Sequence, residues 1–344
     1  SPSVTPAIHT TLGTGTFPAT HAITGVPVLD DDRVAIDPFL DGESGRFMEV
    51  PAVAERWDQQ TGNQALVGMI GHVPWHLGMI GIGAERPGGD RDHAAWLDPV
   101  TNEWVTNDAH YELPDALRDR SDLDRRLDEL DRADGATDGM WRRAPVDDPA
   151  RFEEVPAFTA HHAAKLVEVL DEEGYGADRV TDLMFTNFKQ IDLLGHHFNM
   201  ASPEVRDAIE ATDAALAEIS RFLEREVGHG NYVVVMTSDH GQQPSAAALD
   251  AYGIDSNELL ADLVGEFGPV IQDVAPTEVF VDEAAAAERG VTVAEIARWL
   301  GDYRLGDNAT TLWHQLTGSG DFSAADRVFT MAVPSRLIAS TSCR

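Results

Sequence analysis

Cysteine is all but missing from this chain of 344 residues, with Cys343 the only one. A single thiol excludes a disulfide framework and any Cys-x-x-Cys metal knuckle. Lysine is nearly as scarce. Lys165 and Lys189 are the only two, and all basic residues together number 25 against 59 acidic ones, a formal net charge of −34. A surface this acidic repels phosphate backbones and anionic headgroups, which argues against binding nucleic-acid duplexes or membrane surfaces. No stretch reaches the ~18 uninterrupted apolar residues of a spanning helix. Internal repeats and low-complexity tracts are also missing. Abundant Asp with almost no Lys fits adaptation to high salt, and fits a bias toward GC-rich codons equally well.

What is present is material for a core. Hydrophobic residues make up 43% of the chain, so its charge does not imply disorder. The length suits one large α/β domain with an insertion, or two modest domains. The opening Ser-Pro-Ser-Val-Thr has no initiator Met and no signal-peptide pattern, and the chain stops soon after an apolar, strand-like run at 328–333. The expectation is therefore a fragment clipped at both ends, from which export is not to be judged.

The periodicity alternates helices and strands. A turn leads into a short helix with Thr5 as N-cap and Pro6 at its first position. Residues 65–70 read as a buried strand, 161–173 as a helix and 180–187 as a strand. Ser202-Pro203 opens a long amphipathic helix on which Val205, Ile209, Leu216, Ile219, Leu223 and Val227 recur near the helical period. The apolar run 232–236 predicts a strand buried on both faces. Residues 277–281 read as another strand, and Thr292 with Glu295 forms a capping box. This order predicts an α/β fold, a doubly wound and mostly parallel sheet with helices on both faces. Residues 84–156, rich in Gly, Pro, Asp, Arg and Trp, read as an inserted substrate or cap subdomain, or as long excursions, within a core of 1–83 and 157–344. In such sheets ligands bind beyond the carboxyl ends of the strands.

Three polar clusters lie where that rule demands: Thr5 to His9 with Thr14, Gly15, Pro18 and His21; Asp192-Leu-Leu-Gly195-His196-His197; and Thr237-Ser238-Asp239-His240-Gly241. Singly, Thr5 reads as a helix cap and Asp192 with His196 as a solvated loop pair. Asp239 and His240 at the mouth of a buried strand are costly unless paired or metal-bound. Together, Asp and His ligands without Cys suit zinc or manganese in an open coordination sphere. Two such ions roughly 4 Å apart grip the attacking and leaving oxygens of a phosphoryl group. A threonine hydroxyl in that field becomes a nucleophile.

At these positions the chain resembles the alkaline phosphatase superfamily, closest to its nucleotide pyrophosphatase/phosphodiesterase branch. Thr5, His9, Thr14, Gly15, Pro18, His21 and Ile23 match one motif of that branch, Asp192, Gly195 and His196 a second, and Asp239, His240 and Gly241 a third, in the same order. The resemblance implies Thr5 as nucleophile and ligand of one metal ion together with Asp239 and His240, with Asp192 and His196 on a second ion. His9 and His21 would play supporting roles. The implied activity is two-metal hydrolysis of a phosphodiester or pyrophosphate bond through a phospho-threonine, on a small phosphate ester or nucleotide. The alternatives are a phosphomonoesterase or phosphonate hydrolase on the same scaffold, or an impaired domain that binds metal or phosphate without turnover.

Several family features have no match. The Asp ligand on a strand before the nucleophile segment and the late metal-binding His are missing, and His314, the only His beyond 240, sits in a helix-like setting. Val26 stands where several relatives place a phosphate-contacting Asn, and Ala22 replaces a Gly. There is no Cys/Ser-x-Pro-x-Arg nucleophile motif, which disfavours the sulfatases. Trp75 and His76 are candidates to line a substrate pocket, Trp75 by stacking a base or aryl group, or else form a packed corner. Arg91 is a candidate phosphate clamp, or part of a polar turn.

Overall fold

The computed structural model describes residues 4–98, 101–133, 135–146, 154–242, 244, 246–249, 251–275, 277–308 and 322–340. His314 lies outside them. The chain divides into two compact units, residues 1–25 with 38–243 and residues 26–37 with 244–344. In chain order, α1 (Thr5–Thr14) and the single turn α2 (Pro18–His21) precede the strand pair β1 (Val28–Leu29) and β2 (Ala35–Ile36). Next come α3 (Val53–Thr61), β3 (Val67–Ile70), β4 (Asp92–Leu97), β5 (Trp104–Val105), β6 (Tyr111–Glu112) and α4 (Ser121–Asp131). The pair β7 (Met140–Trp141) and β8 (Ala144–Pro145) leads to α5 (Pro156–Glu172), β9 (Leu183–Thr186), α6 (Gln190–Phe198) and α7 (Pro203–Phe222). The smaller unit takes β1, β2, α8 (Ser256–Phe267), β10 (Ile271–Ala275), β11 (Glu278–Val281), α9 (Glu283–Glu288) and α10 (Val293–Asp302).

The central sheet of the larger unit has the order β5-β4-β3-β9, with β6 beside the start of β4. β3 pairs parallel with both β4 and β9, β6 pairs parallel with β4, and only β5 is antiparallel. Strand alternation decides what each face covers. Val67, Met69, Ala94 and Trp96 point to one side, where they pack with Phe39, Ala54, Leu77 and Ile80. Ile70, Ala95 and Leu97 point to the other and meet Phe158, Leu166 and Val169 of α5 and Ile219 and Phe222 of α7. The sheet is mostly parallel and covered on both faces, as the sequence pattern predicts, and β3 is buried at every residue.

Helix starts follow the local chemistry. The Ser202 hydroxyl accepts from the Val205 amide at the head of α7, and Thr292 with Glu295 forms the capping box of α10. Within residues 84–156, β4 lies in the sheet against β3. Two expectations are corrected. Among the described residues, 232–236 form no ladder, and Val233, Val235 and Met236 are 76–87% exposed. The apolar run encodes a strand's side chains but not its partner, and among the described residues β9 pairs only with β3. Residues 328–333 also form no ladder. There the Val328 amide donates to the Tyr303 carbonyl beside an isolated Arg304–Arg327 bridge.

The contact that seats α1 is the crossing of that helix over the turn Pro74–Met79. A methyl group on Gly13 would run into the Gly78 carbonyl and the Met79 backbone, and one on Gly78 would strike Thr10. Backbone atoms cannot yield as side chains do. Gly13→Ala is expected to cost about 1–3 kcal/mol, the range for overpacking, as read from urea unfolding. A neutral Gly13→Ala would mean that the crossing is looser than described.

Candidate active site

The head of α1 is built from Val4-Thr5-Pro6. Val4 is extended and is the N-cap, with no side-chain hydrogen bond, and Pro6 occupies the first turn. Thr5 is therefore not the cap that the sequence suggests but the first helical residue. Its hydroxyl lies 3.3 Å from His240 Nε2 and 3.4 Å from Lys189 Nζ in a buried setting. The helix N-terminus adds a positive field at this position. One turn on, His9 Nδ1 donates to the Thr5 carbonyl at 2.8 Å, and its ring meets that of His76 edge-on at 4.6 Å. Burial lowers the pKa of both rings, so they are neutral near pH 7. His21 pins α2 to α1 through Thr11 Oγ1 at 3.0 Å and accepts from the Ile23 amide.

The second group follows β9. Lys189 precedes α6 and reaches Asp192 Oδ2 at 2.9 Å, while His196 Nε2 lies 3.4 Å from Asp192 Oδ1. The four-residue spacing puts Asp192 and His196 on one face of α6. The third group is Asp239-His240. His240 Nδ1 bonds the Gly241 carbonyl at 3.1 Å, which assigns the proton to Nδ1 and leaves the Nε2 lone pair directed at Thr5. His240 Nε2 also lies 3.3 Å from Asp239 Oδ2. Gln242 joins the second and third groups by donating to the Asp192 carbonyl at 3.4 Å. Its amide oxygen occupies the space a side chain at Gly195 would need, a reason for glycine there.

Metal fit can be tested on these atoms. Asp239 Oδ2 is buried without a hydrogen-bond donor, a state a cation relieves. Two donors on a tetrahedral ion at 2.0–2.1 Å stand roughly 3.3–3.4 Å apart. Thr5 to His240, Asp239 to His240 and Asp192 to His196 are spaced at 3.3, 3.3 and 3.4 Å. The donor set of carboxylates, imidazoles and a hydroxyl fits zinc or manganese.

The structure thus gathers Thr5, Asp192, His196, Asp239 and His240. The three substrate-side candidates fall elsewhere. Trp75 is half-buried against the apolar cluster on one sheet face. His76 is wholly buried behind His9, so it has no surface to offer a ligand. Arg91 is exposed just before β4, at the amino end of strands whose carboxyl ends carry the site. Lys189 is the residue that motif reading passes over. Its signal was there, since it is one of two lysines in the chain and stands three residues before Asp192.

A sequence model of the type I phosphodiesterase/nucleotide pyrophosphatase family matches residues 1–295. The chain belongs to this family. It is 32% identical over 97 residues to alkaline phosphatase PafA of Elizabethkingia meningoseptica, covering 28% of this chain and 18% of that protein. It is 32% identical over 69 residues to alkaline phosphatase PhoV of Synechococcus elongatus, covering 20% and 12%. The matched stretches span less than a fifth of either curated relative. The crystal structure of wild-type alkaline phosphatase PafA superposes with a TM-score of 0.67 at 20% identity, over 87% of this chain and 67% of that one. The fold is that of the alkaline phosphatases, in keeping with the motif resemblance.

Breaking a buried ion pair at one partner costs about 3–5 kcal/mol, and less where a partner keeps some solvent. Asp192 is 20% exposed beside the buried Lys189. Lys189→Met is expected to lower the stability of the metal-stripped chain by about 2 kcal/mol in urea unfolding. A stability equal to that of the parent would show the pair to be idle.

Proposed function

We propose that this chain carries the active site of a metal-dependent hydrolase acting on phosphodiester or pyrophosphate bonds through a phospho-threonine. The observation that carries this reading is the meeting of Thr5 Oγ1 with His240 Nε2 and Lys189 Nζ at the head of α1. In this reading Thr5, Asp239 and His240 hold one divalent ion, and Asp192 and His196 hold a second, zinc or manganese. Such ions supply positive charge for the phosphoryl oxygens and for the attacking and leaving groups.

The chain's own residues supply the rest. The Lys189 ammonium and the α1 N-terminus favour the ionised form of the Thr5 hydroxyl. Thr5 Oγ1 attacks phosphorus, the bond to the leaving oxygen breaks, and the phosphoryl group rests on Thr5. Water then cleaves that ester and restores the hydroxyl. His9 holds the first turn of the helix through the Thr5 carbonyl, which fixes the direction of attack.

A second reading rests on one comparison, that the named relatives are alkaline phosphatases. In that case the substrate is a phosphomonoester. Rates on aryl phosphate mono- and diesters separate the two.

Thr5→Ala is expected to lower kcat by about 10³-fold or more, in line with loss of an essential nucleophile. Phosphate from a labelled substrate should be trapped on Thr5 in the parent chain. Elemental analysis should find two ions per chain, one lost in Asp239→Ala and the other in Asp192→Ala. Full metal-dependent turnover by Thr5→Ala would refute the nucleophile assignment.

A further inference from the structure

A second acidic site lies at the opposite end of the sheet. Asp58 is in the last turn of α3, Asp90 in the loop that precedes β4, and Asp92 is the first residue of β4. One oxygen from each carboxylate lies within 4.8 Å of the other two, and among the described residues this is the only such group of three His, Cys, Asp or Glu donors. Asp58 and Asp92 are each only 4% exposed. Asp58 Oδ1 and Asp92 Oδ2 are buried without any hydrogen-bond partner.

The surroundings supply no charge to answer them. Among the described residues no Arg, Lys or His forms an ion pair with Asp58, Asp90 or Asp92. Arg86 pairs with Glu55 and His93 with Glu173 instead. The carboxyl end of α3 carries a negative partial charge, which makes Asp58 still more costly. Burial and the neighbouring carboxylates push Asp92 up to about 8, and burial together with a hydrogen bond shared with Asp90 pushes Asp58 up to about 7. The geometry is built rather than loose. Asn63, just past α3, donates to the Gly88 carbonyl at 3.0 Å and ties the 86–91 loop to the helix end. A side chain at Gly83 would collide with Asp92 Oδ2, so glycine is required there.

Buried carboxylates that lack donors persist only when they share a proton or hold a cation. We propose that Asp58, Asp90 and Asp92 form a structural calcium site, separate from the catalytic centre, that fastens α3 and the 86–91 loop to the start of β4. Donors made only of oxygen, supplied from a helix, a loop and a strand, suit a hard cation of flexible coordination. Calcium tolerates such irregular shells, whereas magnesium demands a near-ideal octahedron and retains its waters. The strands separate this site from Thr5, which stands at their carboxyl ends.

The test uses the full chain carrying Asp192→Asn and Asp239→Asn, stripped with chelator, so that the catalytic centre does not compete. Calcium is titrated in about 1 M KCl, where the Debye length of ~3 Å suppresses diffuse binding to the acidic surface. Calorimetry and thermal unfolding should report one calcium ion per chain and a raised Tm. Adding Asp92→Asn should weaken that binding at least tenfold, and adding the exposed Asp90→Asn should weaken it without a folding defect. Without calcium, Asp92→Asn should raise Tm at pH 8, because it removes a buried carboxylate that is otherwise forced to ionise. No calcium binding, binding that survives both substitutions, or binding of magnesium in place of calcium would each overturn the proposal. A chain stabilised by Asp92→Asn but indifferent to calcium would show the cluster to be a proton-sharing set instead.

Discussion

The position of one hydroxyl depends on almost everything else in the larger unit. Thr5 reaches Lys189 and His240 only because Val4, and not Thr5, takes the cap position of α1. The helix in turn is fixed by its glycine crossing over residues 74–79, which hang from the carboxyl end of β3. β9, on the other side of β3, delivers Lys189 and Asp192 to the same end. The parallel pairing of β3 with β9 thus sets the register between nucleophile and cation. An antiparallel arrangement of the same strands would send the two groups to opposite ends.

A chain with a net charge of −34 must also manage acids that do not remain on its surface. Most buried carboxylates here are answered in full. Glu204 takes both Arg143 nitrogens at 2.7 and 2.8 Å, Glu55 accepts from the Ile82 amide and Arg86, and Asp131 accepts from the amides of residues 138–140. Against that background Asp239 Oδ2, Asp58 Oδ1 and Asp92 Oδ2 stand out as buried oxygens without donors. The contrast matters more than the number of acids. In the two proposals above, a cation answers each of these oxygens.

Legibility followed how local each signal is. The capping box of α10, the buried β3 and the Val205 and Ile219 positions of α7 depend on a few neighbouring residues and agree with the structure, whereas Ile209 of the same predicted stripe is exposed. Asp192 and His196 are one helical turn apart, so their shared face also follows from spacing alone. Apart from the cap of α1, which falls on Val4 and not on Thr5, the failures depend on distant partners. Residues 232–236 have the composition of a buried strand but no ladder among the described residues, because pairing is a property of two strands. His76 reads as a pocket residue by its aromatic setting, and its burial behind His9 is visible only in three dimensions. Lys189 belongs to no ligand motif, so only its rarity marked it.

The charge distribution also bears on which phosphate ester fits. A monoester brings two negative charges near neutral pH and a diester one, so the monoester asks more of the cations beside Thr5. Among the described residues no arginine forms a hydrogen bond or ion pair with Thr5, Lys189, Asp192, Asp239 or His240. Lys189 is already committed to Asp192 at 2.9 Å and has only part of its charge to offer a substrate. The chain as a whole carries a large negative excess, which lowers the concentration of a dianion near it more than that of a monoanion. High salt would weaken this discrimination by screening, and low salt would sharpen it. Under the proposed function, electrostatics favours the singly charged diester over the dianionic monoester, and that preference should narrow as ionic strength rises.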